Sequence, residues 1–277
     1  MKRPADLLCA AVLVAGLAAC GDEPEREPLP SGIVMHVDQT RLERKTRNVF
    51  VRVENNTKSP LTITGFVLSS PRFDRVTWQG DESMEPGQQA DLEFTMPPGR
   101  CGDGVDASVR LTYRTGDSDE RESVGRADDP FKAIGLLLDR DCARKTLAEA
   151  ADLEVGTPQV EGTGPTSVLR VPITLTPTGK RDDVRFGGFE STPLFRQAGD
   201  SPVDVDEPIS SEQPTRIVMS VVPARCDPHA LAEDKVGRLF GMRVLAPGLP
   251  DNSWFYLPLD GDQQKAFYAY FRATCGV

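Results

Sequence analysis

The sequence predicts a mainly β protein made of two tandem β-sandwich domains, each with one disulfide and short helical insertions. Three observations lead to this prediction. Apolar and polar residues alternate with period two in many short segments, which is typical of half-buried strands. The 23 prolines and 24 glycines are spread along the chain and supply frequent turn signals. The order of strands, turns and cysteines in the first half also recurs in the second half.

Each half begins with an alternating strand, a turn-rich stretch and a second strand that ends in Gly-Phe. The matching first strands occupy 49–54 and 169–175. The Gly-Phe pairs at 65–66 and 188–189 come after the turns NNTKSP and TPTGKRDD. A similar turn then follows in each half, SSPRF in the first and STPLF in the second. This shared order predicts the same strand arrangement in both halves.

The later landmarks recur as well, and each half closes with an apolar segment and a cysteine. The later strands are predicted at 92–96, 109–113, 217–221 and 239–245. The closing segments are FKAIGLLLDRDC (131–142) and AFYAYFRATC (266–275). Matching landmarks lie 120 residues apart at Val51 and Val171, and 133 apart at Cys142 and Cys275. Small loop insertions explain this slow drift, and we interpret the pattern as a tandem duplication.

The N-terminal segment has the layout of a secretory signal. Lys2 and Arg3 precede an apolar run at 7–16, which is too short for a comfortable membrane span. The run leads into LAAC (17–20), which resembles the lipobox of bacterial lipoproteins. The resemblance implies cleavage before Cys20, a lipid on its sulfur, and a location on the outer face of the cytoplasmic membrane.

The cysteines then constrain the covalent structure. The lipobox resemblance implies that Cys9 leaves with the signal and that Cys20 carries the lipid, so four of the six cysteines remain. An even number of cysteines in an exported chain favours disulfides, although four cysteines allow three pairings. The repeat selects one pairing with a single disulfide in each domain. The predicted disulfides are Cys101–Cys142 and Cys226–Cys275.

These observations divide the chain into five parts. The predicted parts are a signal peptide (1–19), a lipidated flexible tether (20–32), β-sandwich domain 1 (33–142), a linker (143–154) and β-sandwich domain 2 (155–277). The strand order resembles immunoglobulin-like modules of bacterial surface proteins, although the usual Cys-Trp-Cys pattern is absent. Two short helices are expected, one at 228–235 after the cap Asp227 and one at 145–151 between the domains.

The charge balance limits the classes of partner. A net charge of -10 argues against nucleic acid, whose binding depends on neutralised phosphates. The same charge disfavours broad adsorption to anionic lipid headgroups, so membrane attachment is expected through the lipid on Cys20. An envelope protein or a glycan remains as a possible further partner.

Motifs for catalysis are missing from the sequence. It contains no Gly-x-Ser-x-Gly elbow and no His-Glu-x-x-His pair. Its two histidines, His36 and His229, belong to different predicted domains. We therefore predict a protein that is not an enzyme and needs no cofactor. The expected role is a binding or scaffolding module at the cell envelope.

Two alternatives stay open. Cys226, His229 and Glu233 offer thiolate, imidazole and carboxylate groups, so the Cys226–Glu233 region could serve an extracytoplasmic carrier of a metal or small ligand. The disulfide expected for Cys226 argues against a metal site. The aromatic segment 254–271 is predicted to pack in the core of the second domain. Its alternative role is an exposed aromatic binding surface.

Overall fold

The computed structural model describes residues 27–40, 43–227, 229 and 236–277. Within these residues the chain forms sixteen β-strands and two long helices. All strand pairs are antiparallel, and the strands form four sheets. The predicted mainly β fold of two tandem β-sandwiches is confirmed. Cys20 and most of the predicted helix at 228–235 lie outside the described residues.

The first sandwich packs a three-stranded sheet against a four-stranded sheet. Its strands are β1 (Ile33–Asp38), β2 (Asn48–Asn55), β3 (Leu61–Ser70), β4 (Phe73–Met84), β5 (Gln89–Thr95), β6 (Ser108–Thr115) and β7 (Arg121–Arg126). The sheet orders are β1-β2-β5 and β4-β3-β6-β7. Alternate residues of several strands, such as Val51, Ile63 and Leu111, are fully buried between the sheets.

The second sandwich has two further short strands. Its strands are β8 (Ala151–Val155), β9 (Gln159–Glu161), β10 (Val168–Pro177), β11 (Arg185–Phe189), β12 (Phe195–Gln197), β13 (Val203–Pro208), β14 (Thr215–Pro223), β15 (Gly241–Leu245) and β16 (Trp254–Tyr256). One sheet has the order β12-β14-β10-β8, with β9 also paired to β10, and the other has the order β13-β11-β15-β16. The added strands, β9 and β12, extend only the first of these sheets.

The two domains share one strand order. The sheet β1-β2-β5 corresponds to β8-β10-β14, and β4-β3-β6-β7 corresponds to β13-β11-β15-β16. A register shift lies between Ile63 and Gly65 in β3, and the same shift lies between Phe186 and Gly188 in β11. A β-bulge inserts one residue and bends the strand, so both Gly-Phe pairs follow equivalent bends. The repeat in the sequence is therefore a repeat of three-dimensional structure.

Each domain ends in a helix that follows its last strand. Helix α1 (Ala133–Ala150) has 18 residues, and helix α2 (Gly261–Cys275) has 15. The closing segments of the repeat form these helices, so each domain adds one helix to its β-sheets. Asp260 and Gln263 make a reciprocal capping box at the start of α2. Neither helix is long and apolar enough to cross a membrane, within the residues described.

Helix α1 belongs to both domains. Ile134 and Leu138 in its first half pack in the core of the first sandwich. Ala143 and Leu147 in its second half pack in the core of the second. The predicted linker 143–154 thus consists of the second half of α1 and almost all of β8. The helix predicted at 145–151 is present, but the stretch is a packed element rather than a free connector.

The last residues of the predicted tether, from Glu27 onward, contact the first domain. The Glu27 carbonyl accepts a hydrogen bond of 3.0 Å from the Val124 amide. Pro28 pairs with Val124 in a parallel bridge, and Leu29 packs against the first core. Residues 27–29 therefore contact the first domain at β7 and at its core. Residues 20–26 lie outside the described part of the chain.

Both predicted disulfides are present. Cys101 and Cys142 join the loop after β5 to the middle of α1, across 41 residues of sequence. Cys226 and Cys275 join the loop after β14 to the end of α2, across 49 residues. Each disulfide therefore ties the closing helix of a domain to the same loop of its sandwich, as the repeat predicts.

Candidate functional site

The structure does not assemble the metal site considered from the sequence. The Cys226 thiol is oxidised in a disulfide, so it is not available as a thiolate ligand. His229 is exposed, and Glu233 lies outside the described residues. His36 lies on β1, where its ring is 6.1 Å from the ring of Phe131. The described residues contain no group of three histidines, cysteines or carboxylates placed to hold a metal ion.

The aromatic segment divides into a core part and a half-buried part. The residues that are buried in the second core are Phe255, Phe267, Tyr270 and Phe271. Trp254, Tyr256 and Tyr268 are only partly buried. The prediction that this segment packs in its own domain is confirmed for the buried residues.

Arginines cover the half-buried aromatic rings. The Arg140 guanidinium carbon lies 5.5 Å from the centre of the Trp254 ring and 5.0 Å from that of Tyr256. Arg238 lies 3.9 Å from the centre of the Tyr268 ring. These distances are those of cation–π contacts. Because Arg140 is on α1 and Trp254 is on β16, the first contact also fixes the helix against the second domain.

A cleft of about 400 Å³ lies beside these contacts, at the junction of the domains. Pockets for small ligands are roughly 300–1,000 Å³ in volume, so the cleft has a suitable size. One wall is the segment 44–47 of the first domain, and one is the face of α1 that carries Leu137, Arg140 and Arg144. The second domain supplies Arg238, Leu239, Gln264 and the segment 255–259.

The lining of the cleft is strongly cationic. Among the described lining residues, six side chains are basic: Arg44, Lys45, Arg47, Arg140, Arg144 and Arg238. The same lining contains a single carboxylate, Asp141. This charge is opposite to that of the whole chain, which carries -10. A cleft with one sign of charge and apolar walls concentrates its field, so it attracts anions.

Asp141 neutralises Arg47 and holds α1 against the first domain. Its carboxylate accepts two hydrogen bonds from Arg47, at 2.7 and 2.8 Å, and one of 2.8 Å from the Gly99 amide. Arg47 also donates to the Met96 carbonyl at 2.6 Å. A Cβ atom on Gly99 would lie 2.6 Å from the end of the Leu138 side chain and 3.1 Å from the Asp141 carboxylate, so glycine favours this close approach to the helix. The ion pair is therefore part of the scaffold.

Arg140 holds a positive charge at the inner side of the cleft. Its Nε donates to the Leu136 carbonyl and its Nη1 to the Arg44 carbonyl, both at 2.9 Å. Burial lowers the pKa of Arg140 below its usual range; the charges of Tyr256 and Asp141 oppose this shift, and those of Arg44 and Arg47 add to it. An arginine nevertheless stays protonated in proteins. The cleft thus keeps a cation whose environment disfavours charge.

Like charges on neighbouring helical turns make this arrangement costly. Arg140 and Arg144 are four residues apart on α1, so they share one face. Such pairs destabilise a helix by roughly 0.2–0.5 kcal/mol. A bound anion would offset this repulsion between Arg140 and Arg144.

The cleft was not predicted from the sequence, although the basic run RLERKTR (41–47) in an acidic chain was a visible signal.

We expect Asp141→Ala to lower the free energy of unfolding by roughly 1–3 kcal/mol, because it removes three charge-assisted hydrogen bonds. Urea titration followed by circular dichroism measures the loss. Asp74→Ala is the control, because its ion pair with Arg100 is solvent-exposed and contributes about 0–1 kcal/mol. Equal losses in the two variants would contradict the scaffold role of Asp141.

Comparison with known proteins adds little to this description. No family model matches the chain, and no curated protein matches it. A red sea bream transglutaminase aligns over 84% of this chain and 32% of its own, with 10% identity and a TM-score of 0.24. The CsuC–CsuE chaperone–tip adhesion subunit complex of Acinetobacter baumannii aligns over 76% of this chain and 93% of its own, with 9% identity and a TM-score of 0.19.

The exo-chitosanase CsxA of Amycolatopsis orientalis gives a similar result. It aligns over 81% of this chain and 26% of its own, with 13% identity and a TM-score of 0.20. The chain thus spans about a third or less of the transglutaminase and chitosanase chains. Likenesses at these scores carry no argument about activity, so the function has to be argued from the cleft itself.

Proposed function

We propose that this chain is a membrane-anchored extracytoplasmic binding protein. In this proposal Cys20 carries the lipid, and the two sandwiches hold one shared binding cleft outside the cytoplasm. The observation that carries the binding role is the cationic cleft at the domain junction, with six basic side chains and one carboxylate in its described lining. The lipobox-like LAAC (17–20) supports the location.

The packing of α1 supports a cleft with a fixed shape. The helix runs without a break from the first core to the second, so its basic face keeps one position relative to both domains. The Arg140 contacts with Trp254 and Tyr256 add a second attachment. A preformed cleft loses less conformational entropy when a ligand binds, which favours a binding role.

The composition of the lining favours binding over catalysis. The described lining residues include no serine, cysteine or histidine, and the reactive side chains among them are Lys45, Thr46 and Tyr256. The lone carboxylate, Asp141, is already paired with Arg47 and the Gly99 amide. What the cleft offers is hydrogen-bond donors and positive charge, which are the groups that recognise anions.

Replacement of Cys20 by serine tests the anchor. We expect the wild-type protein in the membrane fraction of its own host and Cys20→Ser in the soluble extracytoplasmic fraction, because the lipid supplies the attachment. Cys9→Ser is the matched control, since Cys9 is removed with the predicted signal and should leave the protein membrane-bound. Mass spectrometry of the N-terminal peptide measures the acylation. An unmodified N-terminus, or a Cys20→Ser protein that stays on the membrane, would refute the anchor.

A further inference from the structure

We infer that the ligand of the cleft carries at least two oxyanion groups, phosphate or carboxylate, joined by a carbon or phosphoryl framework. This inference rests on the proposed binding role and names the chemistry of the ligand. Its basis is a set of basic side chains that have no counter-charge among the described residues, on walls that face each other across one cleft.

Three of the cleft cations have no ion-pair partner within the described chain. Arg44, Lys45 and Arg144 are exposed, and none of them forms a salt bridge with a described carboxylate. Several arginines elsewhere on the protein are paired with acids, although exposed ones such as Arg75 and Arg216 form no salt bridge with a described carboxylate. The paired examples are Arg52–Asp91, Arg170–Asp200, Arg181–Asp183, Arg185–Asp206 and Arg243–Asp204. Within the described residues, therefore, Arg44, Lys45 and Arg144 lack counter-charges although the chain as a whole is acidic.

The cations come from different elements, which points to more than one acidic group. Arg44 and Lys45 extend from a short 3-10 turn of the first domain, and Arg144 extends from α1. Arg238 lies in the second domain, where it donates to the Gln264 side chain at 3.2 Å. The cleft volume of about 400 Å³ exceeds that of one phosphate ion. A ligand with separated acidic groups would meet both domains at once.

Apolar side chains between the cations strengthen the attraction. Leu137, Leu239 and Leu259 contribute to the lining. Apolar walls exclude water, so an ion pair formed beside them is stronger than one on an open surface. Arginine forks also bind phosphate and carboxylate through two parallel hydrogen bonds, which favours these groups over halide ions.

Calorimetry with the mature Cys20→Ser protein tests the inference directly. The probes are pyrophosphate and citrate, which carry several acidic groups, with inorganic phosphate as the single-group comparison. We expect pyrophosphate, citrate or both to bind with a Kd at least tenfold lower than that of inorganic phosphate. Vesicles of phosphatidylcholine with and without phosphatidic acid form a second arm, which separates a lipid headgroup from a soluble ligand.

Arg144→Ala is expected to weaken binding by roughly tenfold or more, because a hydrogen bond to a charged group is lost. Arg75→Ala is the matched control, since Arg75 is an exposed arginine on β4 outside the cleft. Both variants remove one positive charge, so a general field effect would weaken both equally. Equal weakening would overturn the inference, and so would the absence of binding in every arm.

The arms also separate this inference from the proposed function. Binding to the acidic vesicles alone would identify a headgroup as the source of the same chemistry. Binding to pyrophosphate or citrate alone would identify a soluble ligand. An inorganic phosphate affinity equal to theirs would overturn the requirement for two groups. Failure of the anchor would appear only in the fractionation of Cys20→Ser, which does not depend on anion binding.

Discussion

Replacement of Phe195 by alanine is expected to lower the free energy of unfolding of the second domain by roughly 3–5 kcal/mol. Phe195 is fully buried at the start of β12. The centre of its ring lies 5.4 to 6.4 Å from those of Phe240, Phe267, Tyr270 and Phe271. Truncation would leave a cavity where the helix meets the sheet, and each neighbouring ring would lose dispersion contacts.

Each domain contains one tryptophan, so the effect can be assigned to a domain. Trp78 is on β4 and Trp254 is on β16. Urea titration of Phe195→Ala in a Trp78→Phe background follows the second domain through the fluorescence of Trp254. Val160→Ala is the control, because Val160 is 56% exposed in the same domain and its loss should cost less than about 1 kcal/mol. A Phe195→Ala cost as small as that of the control would contradict the packing argument.

The parts of the fold that the sequence predicted correctly depend on local patterns. Alternation such as that at 49–54 reports a strand with one buried face, and the strand lies there. The disulfides were predictable because the repeat aligned Cys101 with Cys226 and Cys142 with Cys275. A repeated order of landmarks contains long-range information that a single domain sequence lacks.

Helix α1 was harder to predict because it serves two cores. Its apolar residues at 134 and 138 face the first core, whereas those at 143 and 147 face the second. The apolar positions therefore do not follow one regular stripe along the whole helix. The short run at 134–138 is also compatible with a buried strand when judged by its composition alone.

The cleft could not be predicted because its parts are distant in sequence. Arg44, Arg140 and Arg238 are separated by nearly one hundred residues at each step. They converge only because α1 docks on β15 and β16 after leaving the first sandwich. The basic run at 41–47 indicates a local excess of charge, but no local pattern indicates which other residues face it.

Loss of the Cys101–Cys142 disulfide is expected to destabilise the first domain by about 4 kcal/mol, from the loop-closure entropy of its 41-residue separation. The Cys101→Ala, Cys142→Ala variant removes the crosslink without leaving a free thiol. The measurement is urea unfolding, with Trp78 and Trp254 followed in separate single-tryptophan backgrounds. An unchanged first-domain transition would contradict the stabilising role of this crosslink.

The same variant should also disturb the second domain, because Cys142 lies at the point where α1 passes from one core to the other. Once α1 loosens, Arg140 loses its fixed position against Trp254, so the Trp254 emission should change along with that of Trp78. Removal of Cys226–Cys275 is the matched control, with a separation of 49 residues and an expected loss of about 4 kcal/mol. Removal of Cys226–Cys275 should change the emission of Trp254 and leave that of Trp78 unaltered, because α2 packs in the second core. Symmetric effects of the two removals would contradict the role of α1 as the shared element that positions the cleft.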